Sequence, residues 1–159
     1  MTVMPYEDLR GRHFTWQVQE DTVALIEDPV VIGQLVRLSE RLAYLAEIVG
    51  ERLIIEHSVG VLGPTFQVRD TATEAVLAAS HYTREAEMRA VLGNREYALR
   101  RSGTIAVWND GVEDAVSLRE GEAFVLMGAD PNDAAPLLLL GIVMSLENFL
   151  FPAPRVRGF

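Results

Sequence analysis

The stretch ADPNDAAPLLLLGIVMSLENFLF, residues 129 to 151, decides the fold of this chain. Between Asp133 and Glu147 the only polar side chain is Ser145, so 13 residues form an almost wholly apolar run. A helix that spans a bilayer needs about 20 such residues, and basic flanking residues are absent apart from those in the C-terminal tail. The run therefore predicts a helix enclosed within protein rather than a membrane span.

The residues in front of the apolar run carry helix-start chemistry. Asp130 suits the N-cap with Pro131 in the first turn, because a short oxygen acceptor satisfies backbone N–H groups that have no partner inside the helix. Asn132 or Asp133 would serve the same role one step later. We expect the helix to extend from about Pro131 to Phe151.

The apolar side chains of this helix leave no polar face. Successive residues from Leu137 to Leu146 advance by about 100° and cover the full circumference. Gly141 and Ser145, four residues apart, form one narrow groove where a neighbouring backbone can approach. A helix with this pattern has to be surrounded, either by other helices or by a curled sheet.

Residues 51 to 128 predict the sheet. The segment TFQVRD, residues 65 to 70, alternates between apolar and polar side chains, and Asp110-Gly111 is typical of a tight hairpin turn. About eight short strands follow one another at a spacing of roughly 8 to 12 residues, which is the pattern of a meander, sandwich or barrel. We therefore expect a β-rich (α+β) fold in which an antiparallel barrel wraps around the buried C-terminal helix.

The first third of the chain predicts a hairpin followed by a helix. HFTWQVQ and TVALIE form the hairpin around Glu20-Asp21, and Asp28-Pro29 then precedes residues with helical spacing. These residues are Val31, Leu35, Leu38, Leu42, Leu45 and Val49, and Gly50 provides the stop. We expect an extra N-terminal helix over 29–49, whose apolar stripe either packs on the sheet or forms the seam of a homodimer.

Length and composition indicate one globular domain. The chain has 159 residues, of which 49% are hydrophobic, and it contains no cysteine, so neither disulfides nor thiolate metal ligands contribute. We expect a single domain over residues 1–152 and a flexible tail over 153–159. All 14 basic residues are arginine, which we interpret as a bacterial, GC-rich coding bias.

The charge balance limits the classes of binding partner that we expect. A formal net charge of −9 repels nucleic acid and opposes, without excluding, association with a membrane surface. The first ten residues, MTVMPYEDLR, lack a basic start and an apolar signal-peptide core. We therefore expect a cytoplasmic protein that does not bind nucleic acid.

The segment EGEAFVLMGADPNDAAPLLLLGIVMSLENFLF, residues 120 to 151, resembles the C-terminal signature of the tubby-like superfamily, which includes LURP-one-related proteins and phospholipid scramblases. That signature combines an acidic-x-acidic-x-Phe strand, an Asp at the helix start, a mid-helix Gly, and an acid followed by aromatics at the helix end. The matching positions are Glu120, Glu122, Phe124, Asp133, Gly141, Glu147, Phe149 and Phe151.

This resemblance implies a closed antiparallel barrel of twelve strands threaded by its C-terminal hydrophobic helix. The helix expected over 29–49 departs from that pattern, so either tertiary context makes this segment strand or the barrel is a shortened or rebuilt form. Members of the family are linked to phosphoinositide binding, membrane-tethered regulation and lipid movement, and few are enzymes. The basic phosphoinositide patch has no residue-by-residue match in this chain.

Several charged residues are candidates for a site. Glu120 and Glu122 offer hard oxygen ligands, which with the scramblase resemblance suggests calcium, although the alternative is a solvated strand end. Arg100 and Arg101 belong to the densest basic region and either form ion pairs or bind an anion. Glu147, near the end of an apolar helix, either orients the helix at the barrel rim or forms the floor of a ligand pocket.

No catalytic motif accompanies these candidates. The chain lacks a Gly-rich phosphate loop, a nucleophile elbow and an HExxH segment, and its three histidines have no ligand spacing. We therefore expect a non-enzymatic binding or scaffolding protein of the LURP-one or scramblase-like type, without a cofactor unless calcium binds. The alternatives are a small-molecule-binding barrel with enzymatic activity and a helix-mediated homodimeric structural protein.

Overall fold

The computed structural model describes residues 8–38, 42–48 and 50–150. It contains twelve strands followed by one helix, which is the only helix among these residues. In chain order they are β1 (His13–Gln19), β2 (Thr22–Glu27), β3 (Val30–Leu38), β4 (Ala43–Ile48), β5 (Glu51–Gly60), β6 (Gly63–Asp70), β7 (Val76–Tyr82), β8 (Met88–Leu92), β9 (Arg95–Ser102), β10 (Ile105–Asn109), β11 (Asp114–Arg119), β12 (Glu122–Val125) and α1 (Ala134–Leu146).

The strands form a closed antiparallel barrel in which each strand pairs with its neighbours in the sequence. The first and last strands close the barrel, with Thr15 on β1 opposite Glu122 on β12. Because neighbouring strands run in opposite directions, alternate hairpins turn at the same end of the barrel. Closure pairs every strand on both sides, so the sheet has no free edge.

Helix α1 occupies the interior of this barrel. An eight-stranded barrel is just wide enough for side chains to fill, so a twelve-stranded barrel needs additional material inside. The helix supplies it: all residues from Ala134 to Met144 are buried, and the helix contacts β5, β6, β7, β11 and β12. The prediction of a barrel wrapped around a buried C-terminal helix is confirmed. No helix among the described residues is long and apolar enough to cross a bilayer.

The helix is shorter at both ends than the expected range of Pro131 to Phe151. It begins after a turn in which the backbone N–H of Asp133 donates to the carbonyl of Asp130 at 3.0 Å. It ends at Leu146; after the capping residue Glu147, Asn148 adopts a φ of 63°, and the N–H of Phe149 donates to the carbonyl of Met144 at 2.8 Å. Such a left-handed residue closes a Schellman cap, so the cap ends the helix before the prolines of the tail.

The strand predictions from residue 51 onward are confirmed. Eight strands, β5 to β12, lie between Glu51 and Val125. The hairpin around Asp110-Gly111 joins β10 to β11, and Gly111 adopts a φ of 103°, which favours glycine. The expected N-terminal hairpin is also present as β1 and β2, with Glu20 in its turn at a φ of 56°.

The helix expected over 29–49 is absent, and that prediction was wrong. Residues Val30–Leu38 and Ala43–Ile48 are the paired strands β3 and β4, with Leu35 opposite Ala46. Asp28 and Pro29 form the two-residue turn between β2 and β3, joined by a cis peptide bond, instead of capping a helix. The alternative in which that helix forms the seam of a homodimer is therefore excluded. Val49, the last residue of the expected apolar stripe, lies outside the described residues.

The helical spacing over 29–49 does not correspond to one face in the structure. Leu35 points into the barrel and is buried, whereas Val31 and Leu42 are exposed. The residues around them are β-branched and suit a pleated surface. Pairing with β2 and β5 on the two sides satisfies the backbone along its length, so tertiary context overrides the local helix signal. The expected tail, residues 153–159, also lies outside the described residues.

Candidate functional site

Predicted site residues lie at the end of the barrel where α1 finishes. We call this end the C-terminal rim; it comprises the ends of the odd-numbered strands, the starts of the even-numbered strands, and residues 147–150. Glu147 and Arg101 both lie here. The opposite end, at which α1 begins, is the N-terminal rim.

Glu147 lies at the mouth of the barrel, with its side chain 15% exposed. Its carboxylate lies 3.8 Å from the guanidinium of Arg37 on β3, and the hydroxyl of Tyr44 on β4 is a further neighbour. Burial, together with the negative charge of Glu147, raises the pKa of Tyr44 to about 12. Glu147 thus lies at the barrel mouth beside a cation and a tyrosine, and the orienting role expected of it stays a prediction.

The structure separates Arg100 from Arg101, which the sequence had grouped together. Neighbouring residues of a strand point to opposite faces. Arg100 therefore lies on the outer surface of β9, whereas Arg101 is on the same face of the strand as the buried residues Tyr97 and Leu99. At the rim Arg101 donates from Nη2 to the carbonyl oxygen of Phe149 at 2.6 Å. Its charge therefore lies beside the carbonyl end of the helix, where a cation is favourable.

An aromatic cluster closes the same mouth of the barrel. The ring of His57 stacks on Phe66 with centroids 4.7 Å apart, and Phe149 meets both rings edge-on, at 5.5 Å from His57 and 5.6 Å from Phe66. Neither ring nitrogen of His57 has a hydrogen-bond partner among the described residues. The cluster therefore seals the interior from solvent, and His57 packs as an aromatic surface at this point.

A cleft of about 460 Å³ opens beside Arg101. Met88 and Leu99, both buried, form its floor, and Glu85 and Glu87 on the β7–β8 loop form its acidic wall. Tyr82 and Ala86 complete the lining. The cleft thus combines an apolar floor with charged groups of both signs.

The N-terminal rim contains a buried charged cluster that the sequence did not predict. Asp133 is 2% exposed and accepts two hydrogen bonds from Arg95, at 2.5 and 2.7 Å, and one from the Tyr97 hydroxyl at 2.6 Å. Burial and the adjacent carboxylate raise the pKa of Tyr97, and the hydrogen bond to Asp133 raises the pKa of Arg95. Asp133 was expected as a possible N-cap, but its side chain makes no cap hydrogen bond.

Glu120 and Glu122 lie at the same end of the barrel, in the β11–β12 hairpin, but among the described residues no hydrogen bond or ion pair joins them to Glu147 or Arg101. Glu120 is in the exposed turn between β11 and β12, and Glu122 on β12 lies 3.4 Å from the Nε2 atom of His13. His13 also stacks on Phe124 with ring centroids 4.3 Å apart. In the part of the chain that the structure describes, no three His, Asp or Glu side chains gather into a group that could bind a metal ion.

Two further polar groups lie buried inside the barrel. Ser80 Oγ and Trp108 Nε1 are buried without a hydrogen-bond partner within residues 8–38, 42–48 and 50–150. Both belong to strands whose inward side chains pack around α1, and the carboxylates at the two ends of the helix are already paired with arginine. What the arrangement offers chemically is a surface at the C-terminal rim where charged and apolar groups lie side by side.

Comparison of the chain with protein-family models, with curated proteins and with solved structures finds no match. The fold and the chemistry of the C-terminal rim therefore carry the functional interpretation.

Proposed function

We propose that this chain is a non-enzymatic binding or scaffolding protein of tubby-like type, related to the LURP-one and scramblase-like branch, that engages its ligand at the C-terminal rim. The observation that carries the proposal is the complete burial of the helix from Ala134 to Met144 inside the barrel. A barrel whose interior is filled by its own helix has little interior volume in which to enclose a substrate. Binding then takes place at the rim or on the outer surface.

The barrel itself supports the tubby-like assignment. Twelve antiparallel strands in simple up-and-down order, closed around a C-terminal hydrophobic helix, are the architecture that the resemblance implies. The segment that departed from this pattern in the sequence, residues 29–49, supplies two of the twelve strands. This agreement concerns architecture, and a fold by itself does not determine an activity.

Three of the positions shared with the family signature, Asp133, Gly141 and Glu147, lie where the helix contacts the barrel. Asp133 binds Arg95 and Tyr97 at one end of the helix, and Glu147 lies against Arg37 at the other. Gly141 lies against the side chain of Leu118 on β11, so its narrow groove receives a side chain rather than the expected backbone. Phe151 lies outside the described residues.

The chemistry of the rim favours binding over catalysis. A general acid or base needs a reactive group that faces a bound substrate, whereas Glu147 is committed to Arg37, and Arg101 donates to the Phe149 carbonyl. The cleft beside Arg101 offers an apolar floor formed by Met88 and Leu99 together with exposed charges. Such a surface recognises a ligand through shape and a few polar contacts.

Site-specific photocrosslinking tests this proposal. In the full chain, a photoreactive phenylalanine analogue replaces Glu85, which is exposed at the cleft. This variant is expressed in cells of the organism that encodes the protein. A matched variant carries the same analogue at Val112, which is 88% exposed on the β10–β11 hairpin at the N-terminal rim. We expect a discrete crosslinked product at position 85 and none at position 112.

The result that would overturn rim binding is the same crosslinking pattern at both positions, or no product at either. The non-enzymatic part of the proposal has a separate readout. Purified protein is incubated with a metabolite extract of the host, and compound consumption is followed by mass spectrometry. If the wild type consumes a compound of the extract and the variant Glu147→Gln does not, the enzymatic alternative replaces the binding proposal.

A further inference from the structure

The β5–β6 hairpin ends in an exposed apolar tip that the fold does not use. We call its residues, Val59 to Leu62, the β5–β6 finger. Val59, Val61 and Leu62 are 82%, 104% and 55% exposed. Turns at a protein surface are usually formed by polar residues, Gly and Pro. Three large apolar side chains at one solvated turn therefore indicate a contact that the isolated chain does not make.

The base of the finger is fixed, so the tip is presented in a defined position. Gly63, with a φ of 143°, packs so closely on Tyr82 that a Cβ atom would lie 2.8 Å from the Cδ2 atom of that ring. The hydroxyls of Ser58 and Thr65 lie 2.7 Å apart across the two strands. The strand pairing continues to Gly60 and Gly63. The finger is thus an ordered ribbon that projects its apolar side chains away from the barrel.

The finger itself carries no charged residue. From Ser58 to Phe66 the sequence SVGVLGPTF contains no charged residue. On the same two strands, Glu56 of β5 pairs with Arg69 of β6. On β3, Arg37 pairs with Glu147. A further apolar side chain, Leu42, is exposed, and its carbonyl oxygen accepts a hydrogen bond from the His57 N–H at 2.9 Å. The apolar tip therefore carries no charge that would attract it to an anionic surface.

The size and shape of the finger decide what can cover it. Three side chains offer roughly 300 Å² of apolar surface, whereas a specific protein interface buries at least about 1,000 Å² with complementary shape on both partners. The tip is convex and narrow, so a second copy of this chain or another protein would need much additional contact area. A lipid interface needs no matching shape, because its acyl chains rearrange around an inserted apolar group.

We propose that the β5–β6 finger inserts into the interfacial region of a neutral, zwitterionic lipid bilayer and places the C-terminal rim against the membrane surface. This inference goes beyond the proposed function, since the cleft beside Arg101 can bind its ligand with or without a membrane. Neutral lipid is specified by the charge of the chain. A net charge of −9 opposes approach to an anionic surface, so insertion depends on the apolar tip alone.

Vesicle co-flotation of the full chain tests the proposal. The probes are phosphatidylcholine vesicles, and the same vesicles with phosphatidylserine added. We expect the wild type to float with phosphatidylcholine vesicles at low salt, and the bound fraction to fall as phosphatidylserine is added. The variant V59S/V61S/L62S should bind at least about tenfold more weakly, because the affinity of an interfacial segment scales with its buried apolar area.

Two further variants make the outcome specific to the finger. Val112→Ser removes an equally exposed valine at the other end of the barrel and should leave binding unchanged. Val61→Trp should give an emission shift to shorter wavelength when vesicles are added, and the native Trp16 and Trp108, both buried, should respond little.

Three results would overturn the proposal: no flotation of the wild type, equal loss of flotation in V59S/V61S/L62S and Val112→Ser, or stronger binding to the anionic vesicles. A dimeric wild type beside a monomeric finger variant in sedimentation would instead assign the finger to a second copy of this chain. Crosslinking at position 85 is independent of all these results, so failure of the finger and failure of the proposed function are distinguishable.

Discussion

The carboxylate of Asp133, at the start of α1, accepts two hydrogen bonds from the guanidinium of Arg95, which lies 38 residues earlier in the sequence on β9. At the other end of the helix Glu147 lies 3.8 Å from Arg37. Each acid also has a tyrosine beside it, Tyr97 in the first cluster and Tyr44 in the second. An apolar helix inside an apolar barrel thereby has polar contacts at both ends, which are hydrogen bonds at Asp133 and a longer ion pair at Glu147.

The buried cluster at Asp133 should contribute strongly to stability. Asp133→Asn keeps the size of the side chain but removes the charge that Arg95 and Tyr97 bind. We expect the free energy of unfolding to fall by about 2–3 kcal/mol, because a buried hydrogen bond to a charged group is stronger than a neutral one. Tyr97→Phe, which removes one donor, should cost about 1 kcal/mol. Urea denaturation measures both changes.

An exposed ion pair provides the matched control for that prediction. Arg52 lies 3.5 Å from Glu47 with its side chain 70% exposed, so Arg52→Met should change the free energy of unfolding by no more than about 0.5 kcal/mol. A cost of Asp133→Asn no larger than that of Arg52→Met would show that the cluster does not fix the helix.

Gly141 should be intolerant of even a methyl group. A Cβ atom at this position would lie 2.5 Å from Cδ1 and 2.8 Å from Cδ2 of Leu118, whose side chain is completely buried. Overpacking costs about 1–3 kcal/mol, and the better helix propensity of alanine returns only about 1 kcal/mol. We expect Gly141→Ala to lower stability by about 1–2 kcal/mol in chemical denaturation.

The double variant Gly141→Ala with Leu118→Ala tests the cause of that loss. If the clash with Leu118 is responsible, the two changes are coupled, and the double variant is more stable than the sum of the single losses implies. Strict additivity would mean that Gly141 is required for some reason other than this contact.

Stability should fall at alkaline pH because of Tyr44. Burial raises the pKa of its hydroxyl from 10.0 to about 12. Above pH 10 the unfolded chain loses this proton while the folded chain retains it, so the folded state loses stability as pH rises through this window. The loss from Tyr44 should be on the order of 1–2 kcal/mol, and the raised pKa of Tyr97 acts in the same direction.

Urea titrations at a series of pH values from about 9 to about 12 measure this slope. Tyr44→Phe should flatten part of it, and the double variant with Tyr97→Phe should flatten more. A slope that stays the same in both variants would assign the alkaline loss to other groups.

Amide hydrogen exchange should place α1 among the most protected parts of the chain. Its N–H groups are enclosed by the barrel, so exchange from Leu138 to Met144 requires global unfolding. The amides of Val61 and Leu62, at the exposed tip of the finger, should exchange fast. Rapid exchange within Leu138–Met144 would contradict the enclosure of the helix.

The central helix was predictable because its signal is local and complete. Thirteen residues in which serine is the only polar side chain, preceded by acids and too short for a bilayer, require a protein interior whatever the rest of the chain does. The strands from residue 51 onward were predictable for a similar reason. Alternation and turn residues are contained within each hairpin, as at Asp110-Gly111.

The segment from residue 29 to 49 shows where local signals fail. Its apolar spacing fits a helix, but hydrogen bonds with β2 and β5 make it a pair of strands. These strand partners are determined by closure of the whole barrel, and a short segment of sequence carries no information about that closure. The site residues Arg95 and Tyr97 were missed for the same reason, since nothing near them in sequence identifies Asp133 as their partner.

The sequence by itself determined that an apolar rod must lie inside a sheet, because hydrophobic periodicity depends only on residues a few positions apart. Tertiary structure alone decided which charges meet at the two ends of that rod, which of Arg100 and Arg101 faces the rim, and which apolar tip stays in solvent. Those outcomes depend on strand register, and a shift of one residue in register exchanges the two faces of a strand.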